Sequence, residues 1–168
     1  MATIDASIGT TTANSYVTTE EMDAYFLERV NSTKYVATLD KDAAAISASR
    51  LLDWQLKFDG YKASSSQSMQ FPRSEIYLSD GTLVPNNIIP MEVKYATFEL
   101  IYLSIGTDRL ADNSLAGIDQ VKAGPLFVKA TPGGYGSTKA EIIPEFIRKI
   151  LLDFTISSSI GVVRLMRG

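Results

Sequence analysis

Pro90–Gly106 reads PMEVKYATFELIYLSIG, and this stretch decides the fold class. Proline suits a first helical position, where its missing N–H leaves no bond unmade, and a glycine marks the far end. Between them Val93, Ala96, Leu100 and Leu103 recur at three- and four-residue spacing, which is one face of an α-helix. The spacing predicts a central core helix from Pro90 to about Ile105. Its most apolar part, Phe98–Ile105, contains Glu99 and falls far short of the ~20 residues a membrane span needs, so the helix belongs in a protein core.

Toward the N-terminus, two more helices are expected. Thr18 can cap the first, with Glu21 three residues on as its capping-box partner and Met22, Tyr25, Phe26 and Arg29 on one face. Asp40 can cap the second. Ala45, Ala48, Leu51, Leu52 and Leu56 supply its apolar side, Ser49, Arg50, Asp53 and Lys57 its polar side, and Gly60 its stop. Ala2–Tyr16, rich in Thr and Ser, is expected to be extended and ordered by contacts. Ser64–Ser68 reads as a polar loop, and Asp80-Gly81 between Ile76/Leu78 and Leu83 as the turn of a small β-hairpin.

Toward the C-terminus, Ile118–Ala130 suggests two short strands split at Gly124-Pro125. Pro144 then opens a helix through Phe146, Ile147, Ile150, Leu151 and Phe154. The expected fold is mainly α with a minor β component: about four helices, a small hairpin and short strands in residues 1–153, followed by a C-terminal arm over residues 154–168.

Composition narrows the chemistry. With 168 residues, 45% hydrophobic and 21% charged, the chain suits one soluble domain with its own core. No basic-then-apolar leader opens it, so no secretory signal is expected. It has no cysteine and no histidine, which removes disulfides, thiol nucleophiles, Ser-His pairs and nearly every zinc or iron–sulfur site. Asp40, Asp42, Asp108 and Asp112 lack Ca-loop spacing, and no cofactor is expected. The net charge of -3 hides a gradient, since residues 1–60 hold nine acids and five bases whereas 120–168 hold three acids and seven bases. Such polarity suits assembly through opposite patches, and uneven surface decoration explains it equally.

Candidate catalytic motifs fail individually. Gly133–Lys139 resembles a phosphate loop, but a Walker lysine follows glycine directly and here Thr138 intervenes. Glu20, Glu21, Asp23, Glu141 and Glu145 sit where helix starts attract acids. Catalysis is therefore not expected. Nucleic-acid contact is the more serious option, because Lys122, Lys129, Lys139, Arg148 and Lys149 accompany Phe127, Tyr135 and Phe146, so that aromatics could stack bases while cations neutralise phosphates. The acidic whole chain and the absence of any RNP-like or zinc-knuckle pattern count against it.

Asn14–Thr18 leads into Met22–Phe26, followed in order by Ala48–Trp54, Gln70-Phe71-Pro72-Arg73 and Ile89-Pro90 with Val93 and Ala96. From about Asn14 to Phe154 this order resembles a tailed-phage family labelled "putative DnaT-like single-stranded DNA-binding proteins", and it is similar to head-tail connector adaptors. The resemblance implies a largely helical protomer in a homo-oligomeric ring, twelvefold, between the portal and a tail or nozzle protein, with genomic DNA passing through the centre. It also implies a location at the head-tail interface of the virion, assembly in the host cytoplasm, and no membrane partner. Sequence-blind single-stranded DNA binding is the alternative.

The tail Phe154–Gly168, FTISSSIGVVRLMRG, has no acid and is too short for a core of its own. Ile160, Val162, Val163, Leu165 and Met166, with Arg164 and Arg167, read as an arm docking on the portal, against the alternative of a final strand or frayed terminus on the domain itself.

Overall fold

A computed structural model describes residues 2–38, 40–107, 109–110, 120–123, 126–129 and 141–156. Its elements run α1 (Thr19–Glu28), α2 (Thr33–Val36), α3 (Lys41–Gln55), β1 (Tyr61–Lys62), β2 (Arg73–Ser74), α4 (Met91–Ser104), β3 (Gln120–Ala123), β4 (Leu126–Lys129), α5 (Glu145–Ile150) and a closing 3-10 turn (Leu152–Phe154). The protein is mainly helical, with β1 and β2 forming one antiparallel pair and β3 and β4 another.

The caps expected from the sequence are made. Thr18 accepts from the Glu21 N–H at 3.3 Å while the Glu21 carboxylate accepts from the Thr18 N–H at 3.1 Å, which satisfies two donors that the first turn of α1 leaves open. Asp40 accepts from the Ala43 N–H at 3.0 Å and starts α3. Pro90 caps α4, whose Val93, Ala96, Leu100 and Ile101 are wholly buried against α3 on one side and α5 on the other. This is the central helix that the Pro90–Gly106 periodicity requires.

Two aromatic groups divide the core. Around α1, Phe26 stacks on Tyr35 with centroids 3.9 Å apart, and Tyr25 stacks on Phe98 at 4.6 Å. Below α3, Phe71 meets Phe58 edge-on at 4.9 Å and Phe154 at 6.2 Å. Phe154 is buried, the Asp59 N–H donates to its carbonyl at 2.9 Å, and the Ile156 N–H donates to Lys57 at 2.9 Å. The first residues of the expected arm are thus tied to the domain, while residues 157–168 lie outside those described.

Three local readings change. The connector after α1 contains α2, held by Tyr35, whose hydroxyl donates to Asp23 at 2.7 Å. The helix after Pro144 is shorter, because α5 ends at Ile150 and tightens into the 3-10 turn. The Asp80-Gly81 hairpin is made but short: Tyr77 bridges Leu83 antiparallel, with the Val84 N–H donating to the Ile76 carbonyl and the Leu78 N–H to the Thr82 carbonyl, both at 2.9 Å. Finally, the polar side of α3 is split: Ser49 is fully buried and Asp53 largely so, while Arg50 is exposed. Ser49 accepts from the Tyr16 N–H at 3.1 Å, and Asp53 accepts from both the Tyr16 hydroxyl and the Gln70 N–H.

The segment from Asp59 to Arg73 is organised by two polar side chains. Gln67, buried in the serine-rich loop, donates to the carbonyls of Met69 and Pro72 at 2.9 and 3.0 Å and accepts from Ser64 at 2.9 Å. Arg73 is buried with no carboxylate on it; its guanidinium donates to the carbonyls of Asp59 at 2.6 Å, Gly60 at 2.7 Å and Phe58 at 3.3 Å, and to the Gln70 side chain at 3.0 Å. Backbone carbonyls replace water around the charge, which is the condition for burying it. Gly60 lets the chain pass: its φ is +65° and a Cβ there would sit 2.2 Å from the Ser74 carbonyl oxygen.

Candidate functional site

Surface grooves lined by different helices differ in charge. The groove between α1 and α4, about 520 Å³, is lined by Tyr25, Met91, Tyr95 and Phe98 together with charged Glu21, Glu28, Arg29 and Lys94. Most of that charge is internally paired. Arg29 holds Glu99 at 2.8 Å, and Lys94 holds Glu21. The Arg29 guanidinium keeps the Glu99 carboxyl below the usual range, and burial together with Glu99 pushes the Tyr25 phenol up to about 12. Tyr25 therefore stays protonated at neutral pH, and the arrangement is a structural lock without a free acid–base pair.

Elsewhere on the surface, α3 and the segment after α4 enclose a groove of about 410 Å³. α3 presents Ser47, Arg50 and Trp54 to it, one turn apart, and the segment after α4 adds Thr107, Arg109 and Leu110. Arg109 is aimed by the chain before α5: its Nε donates to the Ile142 carbonyl at 2.8 Å and a terminal nitrogen to the Glu141 carbonyl at 2.6 Å. Arg50 has neither an ion pair nor a hydrogen bond among the described residues, and Trp54 is 66% exposed. Beyond the end of α3, a second groove of about 430 Å³ is lined by Gln55, Lys57, Arg148, Leu152 and Ile156. Among the described residues, neither groove is lined by a carboxylate, although the chain as a whole carries a net charge of -3. Among the described residues, no group of three acidic side chains could hold a metal ion.

The basic residues singled out in the sequence do not converge on one described surface. Lys149 pairs with Glu145 at 3.0 Å along α5, and Arg148, with its Nε donating to the Ile143 carbonyl at 3.3 Å, lines the second groove. Lys122 and Lys129 belong to β3 and β4, in register with Phe127 and Gln120. Lys139 and the arm residues Ile160, Val162–Arg167 lie outside the described residues.

A family model described as "Putative DnaT-like ssDNA binding protein" matches residues 2–168. The chain belongs to that family. The match takes in the tail as well as the Asn14–Phe154 region where the motifs lie. No curated protein and no solved structure matches the chain.

What sequence reading missed in this family member is the Arg50–Trp54–Arg109 grouping. The signal was faint: the only tryptophan of the chain stands four residues after an arginine, on the edge of a helix whose opposite side is apolar.

Proposed function

We propose that this protein is a structural virion component: a head-to-tail connector adaptor that forms a ring between portal and tail and leaves a central passage for DNA. The observation that supports this best is a pair of unlike apolar patches at the two ends of α3. At its start, the corner between α1 and α2 exposes Leu27 (87%), Val30 (79%) and Val36 (69%). At its finish, Leu152 (65%) and Ile156 (58%) stand beside Gln55 and Lys57. α3, which runs between them, has fifteen residues and is about 22 Å long.

Single exposed apolar side chains are ordinary, but clustered ones gain from being covered. Two different patches at opposite ends suit a head-to-tail contact, and such contacts close into rings when the rotation per subunit allows it. The corner is stiff enough to serve, because Lys41 at the start of α3 pairs with Asp23 at 2.7 Å and lies over the Tyr35 ring. On this reading the chain performs no catalysis and needs no cofactor, its partners are its own copies, twelve to a ring, the portal and a tail protein, and its tail anchors on the portal through Ile160–Arg167. Assembly takes place in the host cytoplasm, and the finished ring lies at the head-tail interface.

Deleting Ser157–Gly168 tests the anchoring step. The truncated protein should fold and lose affinity for portal rings; unchanged binding would remove the arm from the mechanism. Sequence-blind single-stranded DNA binding is the second reading, and it has the family description and the arginine- and lysine-lined grooves beside α3 in its favour.

A further inference from the structure

We propose that the groove between α3 and the segment after α4 binds single-stranded nucleic acid, with one unpaired base stacked on Trp54 and the flanking phosphates held by Arg50 and Arg109. The inference rests on the second reading above and gives it a location away from the basic residues of the last third of the chain.

Three features carry it. Trp54 is the only tryptophan and is exposed at the end of α3, whose Ile46, Leu51 and Leu52 are buried. An indole face at 66% exposure offers what base stacking needs, a flat apolar platform open on one side. Two cations line the same groove, Arg50 on α3 one turn before Trp54 and Arg109 in the segment after α4, so a strand lying on the indole has positive charge from both elements beside it. Arg109 is fixed by two backbone carbonyls, whereas Arg50 is unpaired among the described residues and can swing to a phosphate.

The third feature is the missing acid. A strand of phosphates is repelled by any nearby carboxylate, and none of the described residues that line the groove is one; Asp53, next to Trp54 in sequence, is turned inward to Tyr16 and Gln70. Ser47 and Thr107 supply neutral hydroxyls among the lining residues. The groove holds about 410 Å³, room for one nucleotide at a time and not for a duplex. Lys57 and Arg148 in the adjoining groove extend the positive surface past the end of α3.

The experiment uses the full chain and a labelled oligo-dT of about twelve nucleotides. Because Trp54 is the sole tryptophan, quenching of intrinsic fluorescence on addition of the strand reads stacking directly. Anisotropy of the labelled strand should show Trp54→Ala weakening binding roughly tenfold and Trp54→Phe weakening it less. Arg50→Gln should reduce the slope of log affinity against log salt by about 0.7. Trp54 and Arg50 are exposed, so all three variants should fold, and circular dichroism checks that they do.

Binding with no quenching, and with the variants unchanged, would overturn this site while leaving single-stranded DNA binding elsewhere on the protein. No binding at low salt would overturn the site and the second reading together. Displacement of the strand by an acidic peptide with equal quenching would overturn it in favour of a protein partner.

Discussion

Arg29 grips Glu99 with both sides of its guanidinium, Nε to Oε1 at 2.8 Å and a terminal nitrogen to Oε2 at 2.9 Å, and so bolts α1 to the central helix. Tyr25 adds its hydroxyl to the same carboxylate at 2.6 Å, and Tyr102 lies under the guanidinium at 3.9 Å. Both side chains are mostly shielded from water, so removing one partner strands the other. Glu99→Gln should cost about 2 kcal/mol in urea unfolding, and Arg29→Met a similar amount. If either were neutral, the bolt would be ornamental.

The pH dependence of stability should show opposite contributions. Arg29 depresses the Glu99 carboxyl, so what that pair contributes is present above the ordinary carboxylate range and lost as pH falls through its lowered folded value. Burial pushes Asp53 the other way, up to about 6, against the pull of the Tyr16 hydroxyl and the Gln70 N–H. A raised carboxyl favours folding while it is protonated. Its contribution is full below about pH 4 and is lost as pH rises through about 6, amounting to about 3 kcal/mol at most. Unfolding of Asp53→Asn between pH 4 and 7, set against the wild type, should show a flatter profile; parallel profiles would mean that Asp53 titrates normally.

Gly60→Ala should destabilise the protein by about 2 kcal/mol or more. The new methyl would meet the Ser74 carbonyl, and the positive φ would be strained even if β2 moved away. Thermal unfolding measures this. Gly81→Ala, where φ is also positive but nothing lies within 4 Å, should cost less and serves as the comparison.

Much of the fold was legible because its determinants are local. Thr18 with Glu21, Asp40, and Pro90 with its periodic Val93, Ala96 and Leu100 each act within a turn or two of helix, and each element appears where those residues put it. Arg50 and Asp53 show where local reading stops. They lie three residues apart on the polar side of α3, yet one is exposed and the other largely buried, because the partner of Asp53 is Tyr16, 37 residues away. The same limit hid the shared groove of Arg109 and Trp54, made by α3 packing on α4 and by carbonyls 32 and 33 residues beyond Arg109 along the chain.

Assembly through two unlike patches has a distinctive consequence in mixtures. Leu27→Glu and Leu152→Glu should each leave folding intact, since both side chains are exposed, and each should abolish rings. Mixed together, the two variants retain one good half of each interface, so the account expects them to pair and stop at a dimer. Sedimentation velocity distinguishes dimers from monomers. Monomers in the mixture would mean that the two patches do not meet each other.

The most direct measurement is electron microscopy of the purified protein alone and after mixing with portal rings. The account predicts closed rings with an open centre, seated coaxially on the portal, at a concentration where the Leu27→Glu variant shows none. A protein that remains monomeric in both samples, while binding single-stranded DNA in a salt-sensitive way, would contradict the connector account and leave the second reading in its place.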